Sequence, residues 1–322
     1  MRGILILNVG SPETKERDSV KHFIGEMLSD PLLLTVPNKI RNILAQKIIA
    51  PLRASNSAHH YSLIWDNEHN CSPLLYHSQI LAQKIEQETG MRTEIAMRYS
   101  TPPILDALLR LEECSPALRE VIVVPMFPHY AESSYKTAID AVGRIFYKKP
   151  YSFKLKVLEP FYNDSAYIQA LAYTLKPFVE RAYDRLVFSF HSLPLSHEQK
   201  ARDKGRQFDY VYQLKETIRL LSKELGINPK KNRVVYSSAI GPKWLAPSLN
   251  ETMKTMPKEG IKKIIVICPG FPIDNIETLY DVTIKAKELF IKNGGEEFNF
   301  VPGLNSQGHW CEAIIKMVTR KV

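Results

Sequence analysis

A chain of 322 residues with 44% hydrophobic and 24% charged side chains has room for one large or two ordinary globular domains and is not a disordered or low-complexity composition. No apolar run reaches the length of a bilayer span, and the short apolar stretch after Met1-Arg2 is not an export signal, so a cytoplasmic protein is expected. The net charge of +9 suits an acidic small molecule, an anionic membrane surface or nucleic acid. No nucleic-acid motif and no basic run with interleaved aromatics supports the last of these. Cys71, Cys114, Cys268 and Cys311 are far apart and form no C-x-x-C. That spacing argues against a zinc ribbon or a sequence-local iron–sulfur motif and suits a reducing compartment.

The first expected strand is Ile4–Val9, closed by Gly10-Ser11-Pro12. A long insertion, Ser11 to Arg92, follows, with helical patterns at Ser19–Leu28, Lys39–Leu52 and Leu74–Glu88. Within it, Met27 to Pro37 sets an apolar run around two prolines that suits neither helix nor strand, and it reads as an apolar lip on a pocket. Lys39 to Arg53 is basic and amphipathic, with Ile40, Ile43, Leu44, Ile48 and Ile49 among Lys39, Arg41, Lys47 and Arg53. Such a helix can lie on a membrane, but the more common arrangement, and the one expected, covers its own sheet. Strands are then expected at Thr93–Arg98, Val121–Met126 and Lys154–Glu159, separated by helices at Ile104–Glu113 and Ser134–Tyr147.

A second set of four strands, Arg185–Phe190, Arg233–Ser237, Ile264–Cys268 and Phe298–Val301, follows with helices at Ser165–Tyr183, Tyr210–Leu225, Pro247–Met256, Glu277–Leu289 and His309–Val318. Alternation of this kind implies parallel sheets flanked by helices. The two sets match at their turns in the same order: Gly10-Ser11-Pro12 with Ser192-Leu193-Pro194, Ser100-Thr101-Pro102 with Ile240-Gly241-Pro242, Phe127-Pro128 with Phe271-Pro272, and Pro160 with Pro302. The reading is a duplicated α/β chain of two lobes around a central cleft, residues 1–165 and 166–322, with the last helix free to pack back on the first lobe.

The chemistry gathers at strand ends. Lys263-Ile264-Ile265-Val266-Ile267 is a buried-strand pattern, closed by Cys268-Pro269-Gly270-Phe271-Pro272. Beyond it stand Asp274, Glu277 and Asp281, which share a face if a helix begins near Asp274. His191 ends the first strand of the same half. In a doubly wound sheet, His191 and Glu277 then share one rim and form either a proton-transfer pair or a pair of metal ligands. In the first half, His129 ends the third strand, and Arg98 and Tyr99 end the second, where a guanidinium suits a carboxylate ligand. No G-x-S-x-G elbow, dinucleotide fingerprint or Walker loop is present.

Together these stretches resemble the ferrochelatase family: Leu7 to Thr14, Ser29-Asp30-Pro31, Met97-Arg98-Tyr99, Ser189-Phe190-His191-Ser192-Leu193-Pro194, Tyr236-Ser237-Ser238 with Gly241-Pro242-Lys243-Trp244-Leu245, and Pro269 to Tyr280. The resemblance implies two Rossmann-like, chelatase-type lobes, each with a four-stranded parallel sheet. It implies insertion of Fe2+ into a porphyrin, with His191 and Glu277 as the catalytic and metal-holding pair. Asp274 and Asp281 would form a proton or metal path. Met27, Leu28, Leu33, Leu34, Ser72, Arg98, Tyr99, His129 and Trp244 would meet the porphyrin. Protoporphyrin IX is favoured by the apolar lip, with coproporphyrin III as the alternative substrate. A cobalt or nickel tetrapyrrole chelatase and a non-catalytic tetrapyrrole-binding protein are the rival readings.

The pattern departs from the family at His69-Asn70-Cys71-Ser72-Pro73, where many relatives carry Gly-Gly-x-Ser-Pro. It departs again at Asn275, where many carry His, and at Lys285, where some continue the acidic row. No iron–sulfur cluster, no cofactor and no membrane helix is expected. The expected partners are porphyrin and ferrous iron, with the basic, apolar lip resting peripherally on the inner membrane as a further expectation. Nothing in the sequence indicates an oligomer.

Overall fold

The computed structural model describes residues 1–114 and 117–320. The chain forms two compact units, one of residues 1–127 and 132–159 and the other of residues 128–131 and 160–322.

The first unit is built on a parallel sheet of order β2-β1-β3-β4, from β1 (Arg2–Asn8), β2 (Thr93–Met97), β3 (Glu120–Pro125) and β4 (Lys154–Val157). β1 is central and reads Ile-Leu-Ile-Leu without alternation because helices cover both of its faces. Ile4, Leu5, Ile6 and Leu7 are all at most 1% exposed. α5 (Ile104–Cys114) and α6 (Thr137–Phe146) supply Leu108, Leu111, Ala138 and Val142 to this core. The insertion between β1 and β2 holds α1 (Arg17–Leu28), α2 (Asn38–Ile43), a π-helical segment (Leu44–Ile49), α3 (Ala50–Ile64) and α4 (Pro73–Thr89).

The amphipathic helix expected to lay its isoleucines on a sheet does otherwise. Its buried positions include Ala45, Ala50 and Ala54 together with Arg41, and the run packs on α1, where small side chains permit close approach. Ile40, Ile43, Ile48 and Leu52 remain 43–77% exposed. The helical run also continues through α3, past the expected end at Leu52.

The second unit repeats the architecture as β6-β5-β7-β8, again all parallel: β5 (Arg185–His191), β6 (Asn232–Ser237), β7 (Lys263–Ile267) and β8 (Glu297–Val301). Its helices are α7 (Ser165–Val179), α8 (Leu195–Arg202), α9 (Tyr210–Glu224), α10 (Leu249–Thr255), a π-helical segment (Glu277–Ala286) running into α11 (Lys287–Lys292), and α12 (Gly308–Arg320). α8 has a polar pattern with no apolar period and was not expected as a helix. α12 packs along α7 within this unit. Ile264 to Ile267 of β7 are at most 3% exposed. Burying each such side chain contributes about 1.5–3 kcal/mol, which holds the strand in register.

The two halves correspond down to single hydrogen bonds. Met97 N–H donates to the carbonyl of Pro102 at 2.8 Å, and Tyr236 N–H donates to that of Pro247 at 2.9 Å. Ser100 (φ 74°) and Ser238 (φ 59°) both turn left-handed just past their strands. The counterpart of Pro102 is therefore Pro247 and not Pro242. The backbone bond is what defines the equivalence, and the second half inserts extra residues before it. Gly10 (φ 102°) closes the turn after β1, where a Cβ would lie 1.9 Å from the Tyr99 carbonyl oxygen.

Candidate active site

The order β6-β5-β7-β8 places a topological switch at the carboxyl ends of β5 and β7, where doubly wound sheets carry their chemistry. β5 ends on His191, whose register partner is Ser237 at the end of β6. Ser192 N–H donates to the Ser237 carbonyl at 2.9 Å, and the Tyr210 hydroxyl donates to the His191 carbonyl at 3.1 Å. The β5 end is thus held from both sides. Past β7, the turn closes with Phe271 N–H on the Cys268 carbonyl at 3.0 Å, and the π-helical segment then begins at Glu277. Its wider i→i+5 winding keeps Glu277 and Asp281 within reach of one hydroxyl, that of Ser238.

The central contact joins His191 Nδ1 and Glu277 Oε2 at 2.8 Å. Ser237 and Ser238 hydroxyls approach the same Oε2 at 3.2 and 3.4 Å. A carboxylate facing a ring nitrogen and two hydroxyls takes the proton-acceptor role, so Nδ1 carries hydrogen, and in the neutral ring His191 Nε2 keeps its lone pair. The imidazole side chain is 39% exposed and the carboxylate 25% exposed, so the pair is not sealed in the core.

Loss of surrounding water acts to lower the His191 pKa, but the charge and hydrogen bond of Glu277, aided by Asp281, outweigh it and hold the imidazole above its ordinary value. For Glu277 the loss of water acts upward, and His191 with the two serines draws the carboxyl below its ordinary value. Asp281 moves the other way. Burial and the adjacent Glu277 charge push it up to about 6. The two neighbouring carboxyls therefore differ in proton affinity. Among the described residues no group of three or more His, Cys, Asp or Glu converges as a metal cage.

Asp274 is not on that rim. The helix begins at Glu277, and Asp274 lies in the preceding turn at 4% exposure. Its carboxylate accepts from Thr278 Oγ1 (2.8 Å), Gly303 N–H (3.0 Å) and Asn305 Nδ2 (2.8 Å), which binds the β7 and β8 turns together. A shared helical face for Asp274, Glu277 and Asp281 does not form, because this carboxylate is satisfied inside the loop. His129, at 3% exposure, is buried with Nε2 2.9 Å from Thr217 Oγ1, and burial drives its pKa down to about 3. Trp244 is half-buried in the strap that bridges to Pro194.

In the first unit, Arg98 and Tyr99 turn inward. Both bond the carboxylate of Asp30, along with Thr137. Asp30 is 5% exposed; burial opposes its charge, yet Thr137, the Leu32 N–H, Arg98 and Tyr99 together hold its pKa below the ordinary value. This carboxylate anchors the lip: Leu32 N–H meets Asp30 Oδ1 at 2.8 Å, and Leu33 and Leu34 N–H meet its carbonyl at 3.2 and 3.0 Å. Arg41 secures the other side on the carbonyls of Ser29 and Val36. Met27, Leu28, Leu33 and Leu34 are half-buried. Ser72 is 3% exposed, caps α4 on Leu75 N–H and meets the Ser11 hydroxyl at 2.5 Å.

Sequence reasoning did not single out Ser237 and Ser238 as partners of Glu277, nor Tyr210 behind His191. For the serines a signal existed, since they end β6 as His191 ends β5. Tyr210 carries none, because its role depends on how α9 packs under the strand.

Comparison with known proteins follows the same outline. The sequence model of the ferrochelatase family matches residues 1–322. The chain is 32% identical to a ferrochelatase of Porphyromonas gingivalis, covering 97% of this chain and 94% of that one. It is 33% identical to a ferrochelatase of Legionella pneumophila strain Paris, covering 100% and 99%. Among solved structures, SirB from Bacillus subtilis with Fe3+ aligns over 99% of this chain and 94% of its own, with a TM-score of 0.58 at 11% identity. CbiX, the terminal enzyme of siroheme biosynthesis in denitrifying bacteria, aligns over 100% of both chains with a TM-score of 0.52 at 13% identity. At such identities these two establish the fold alone. Family match and full-length relatives together establish that this chain is an enzyme of the ferrochelatase family, acting in metal insertion into a porphyrin for heme synthesis.

Proposed function

We propose that the metal is Fe2+ and the porphyrin protoporphyrin IX, with His191 and Glu277 as the catalytic pair. The observation that carries this reading is the 2.8 Å contact through Nδ1, which leaves Nε2 of the neutral ring as the base of a partly exposed pair. Metalation requires two pyrrole N–H groups to lose their protons while the nitrogens keep the electron pairs that bind the dication. His191 Nε2 accepts the two pyrrole protons one after the other, each imidazolium being countered by Glu277 and discharged before the next transfer. The proton passes toward Asp281, whose raised pKa lets it hold and release one. Before transfer, the Glu277 oxygen that does not face the imidazole holds the incoming Fe2+, and the Nε2 lone pair is kept for the pyrrole proton. The apolar Met27, Leu28, Leu33 and Leu34 favour protoporphyrin over the four carboxylates of coproporphyrin III. Arg98, a candidate for a propionate, is assigned instead to positioning the lip, because its guanidinium is already paired.

An anaerobic spectrophotometric assay with Fe2+, and with Zn2+ as an air-stable stand-in, tests the reading on native chain and His191→Ala. Insertion into protoporphyrin IX by the native chain alone is the expected result. Preference for coproporphyrin III, or for Co2+ or Ni2+, reassigns the substrate. Porphyrin binding without insertion refutes catalysis by this pair.

A cytoplasmic location with peripheral membrane contact completes the proposal. No helix among the described residues is long and apolar enough to cross a membrane. Pro31 to Trp65 contains no Asp or Glu. It displays Ile40, Ile43, Ile48 and Leu52 beside exposed Lys39, Lys47 and Arg53, a combination suited to an anionic bilayer. Cosedimentation with vesicles containing phosphatidylglycerol, absent with neutral vesicles and lost in Ile43→Glu/Leu52→Glu, is the expected outcome. Equal recovery in the supernatant with both lipids refutes it.

A further inference from the structure

The segment Pro128–Ala131 belongs to the second unit although the chain on both sides of it belongs to the first. Tyr130 N–H donates to Gln213 Oε1 at 2.7 Å, and His129 Nε2 lies 2.9 Å from Thr217 Oγ1, so the segment is docked on α9. Thr217 Oγ1 also faces two carbonyls, Tyr162 at 2.7 Å and Gln213 at 3.2 Å. A hydroxyl has one proton, and carbonyls only accept, so that proton goes to a carbonyl and His129 Nε2 must donate. The tautomer of this buried ring is thereby settled by its surroundings.

The ring touches each element that aims the catalytic pair. It stands edge-on to Phe190, the residue before His191 (centroids 5.5 Å, 88°). It stands edge-on to Tyr210, whose hydroxyl holds the His191 carbonyl (6.2 Å, 85°). Its Nδ1 faces Gly270, 3.9 Å from where a Cβ would be, in the turn that leads to Glu277. We infer that His129 is a positioning residue: anchored on Thr217, it wedges the β5 end, α9 and the Pro269-Gly270 turn so that His191 and Glu277 meet in hydrogen-bonding register. It touches neither porphyrin nor metal. The inference rests on the proposed roles of His191 and Glu277.

The test uses the full chain with His129→Leu and His129→Gln, the glutamine amide being able to donate to Thr217. Near-UV circular dichroism confirms folding. His129→Leu is expected to lower kcat about 10–100-fold, the cost of a small misplacement of reacting groups. Porphyrin KM stays within about twofold. The low-field proton resonance of His191 Nδ1–H, assigned through its absence in His191→Ala, is lost or broadened. His129→Gln recovers both kcat and resonance. Native kcat with a native resonance in the leucine variant overturns the inference. So does a raised KM at unchanged kcat, which would mark a ligand contact, and so does a glutamine variant no better than leucine. If His129→Leu does not fold, Thr217→Val, which removes the acceptor, carries the same expectations. The resonance needs no turnover, so a native chain inactive in metal insertion refutes the proposed function and leaves this inference to be judged by the imidazole signal.

Discussion

His191 Nδ1 and Glu277 Oε2 meet at 2.8 Å across 86 residues of sequence, and each moves the other's proton affinity in the direction that keeps the pair ionised. A base built this way is stronger than a free imidazole while its second nitrogen stays available. Its activity follows the His191 protonation state: the neutral ring accepts a proton, so turnover rises with pH through its raised pKa.

Glu277→Gln removes the charge that holds that pKa up. With the desolvating surroundings left in place, the acid-side inflection of kcat/KM shifts to lower pH. The loss of the imidazolium's counter-charge lowers kcat by ~10²–10³-fold. A pH–rate series on Zn2+ insertion checks both, and an unmoved inflection in an active variant would break the link between the two residues.

Asp281 is the unusual acid. Its folded pKa of about 6 lies above the ordinary 3.8, so its ionisation opposes folding. The penalty is absent below the unfolded value, grows between the two and is complete above the folded one. Asp281→Asn should therefore stabilise the chain at pH 8 and not at pH 4. The full linkage of such a displacement is about 3 kcal/mol; screening at this half-buried site leaves roughly 1–2 kcal/mol. Urea unfolding at the two pH values measures it, and a gain equal at both would place the cause elsewhere.

Asp274→Ala tests the division between structural and reacting carboxylates. Removing a buried acceptor of three hydrogen bonds takes that partner from Gly303 N–H and Asn305 Nδ2, while Thr278 keeps the Asn275 carbonyl, and should cost about 2–4 kcal/mol. The pH profile of the folded variant should match the native one. A shifted inflection would restore Asp274 to the proton path.

Arg98→Leu leaves the Asp30 carboxylate buried without its cation. The expected destabilisation is about 3–5 kcal/mol, and the porphyrin KM should rise because Asp30 anchors the lip. For Asp30 the folded pKa is lowered, so its stabilisation is present above the unfolded value and is lost as pH falls through the folded one. Thermal melts from pH 7 down to pH 3 follow this loss in the native chain. A melt independent of pH in that window would contradict the pairing.

What the sequence determined by itself was local and periodic. The eight strands, their parallel pairing and the duplication were legible because the central ones, such as Ile4 to Leu7 and Ile264 to Ile267, are unbroken apolar runs, and proline turns close the strands in the same order in both halves. His191 and Glu277 were legible because both sit at strand ends, and topology brings strand ends to one rim. Tertiary structure decided the rest. Asp274 faced inward because Asn305, 31 residues away, satisfied it. Arg98 was taken by Asp30, 68 residues back, and His129 by Thr217, 88 residues on. The helix at Lys39 to Arg53 buried its alanines and displayed its isoleucines because its neighbour is another helix at close range. A hydrogen bond or a packing contact belongs to two positions at once, and no pattern within one stretch of chain records where its partner will lie.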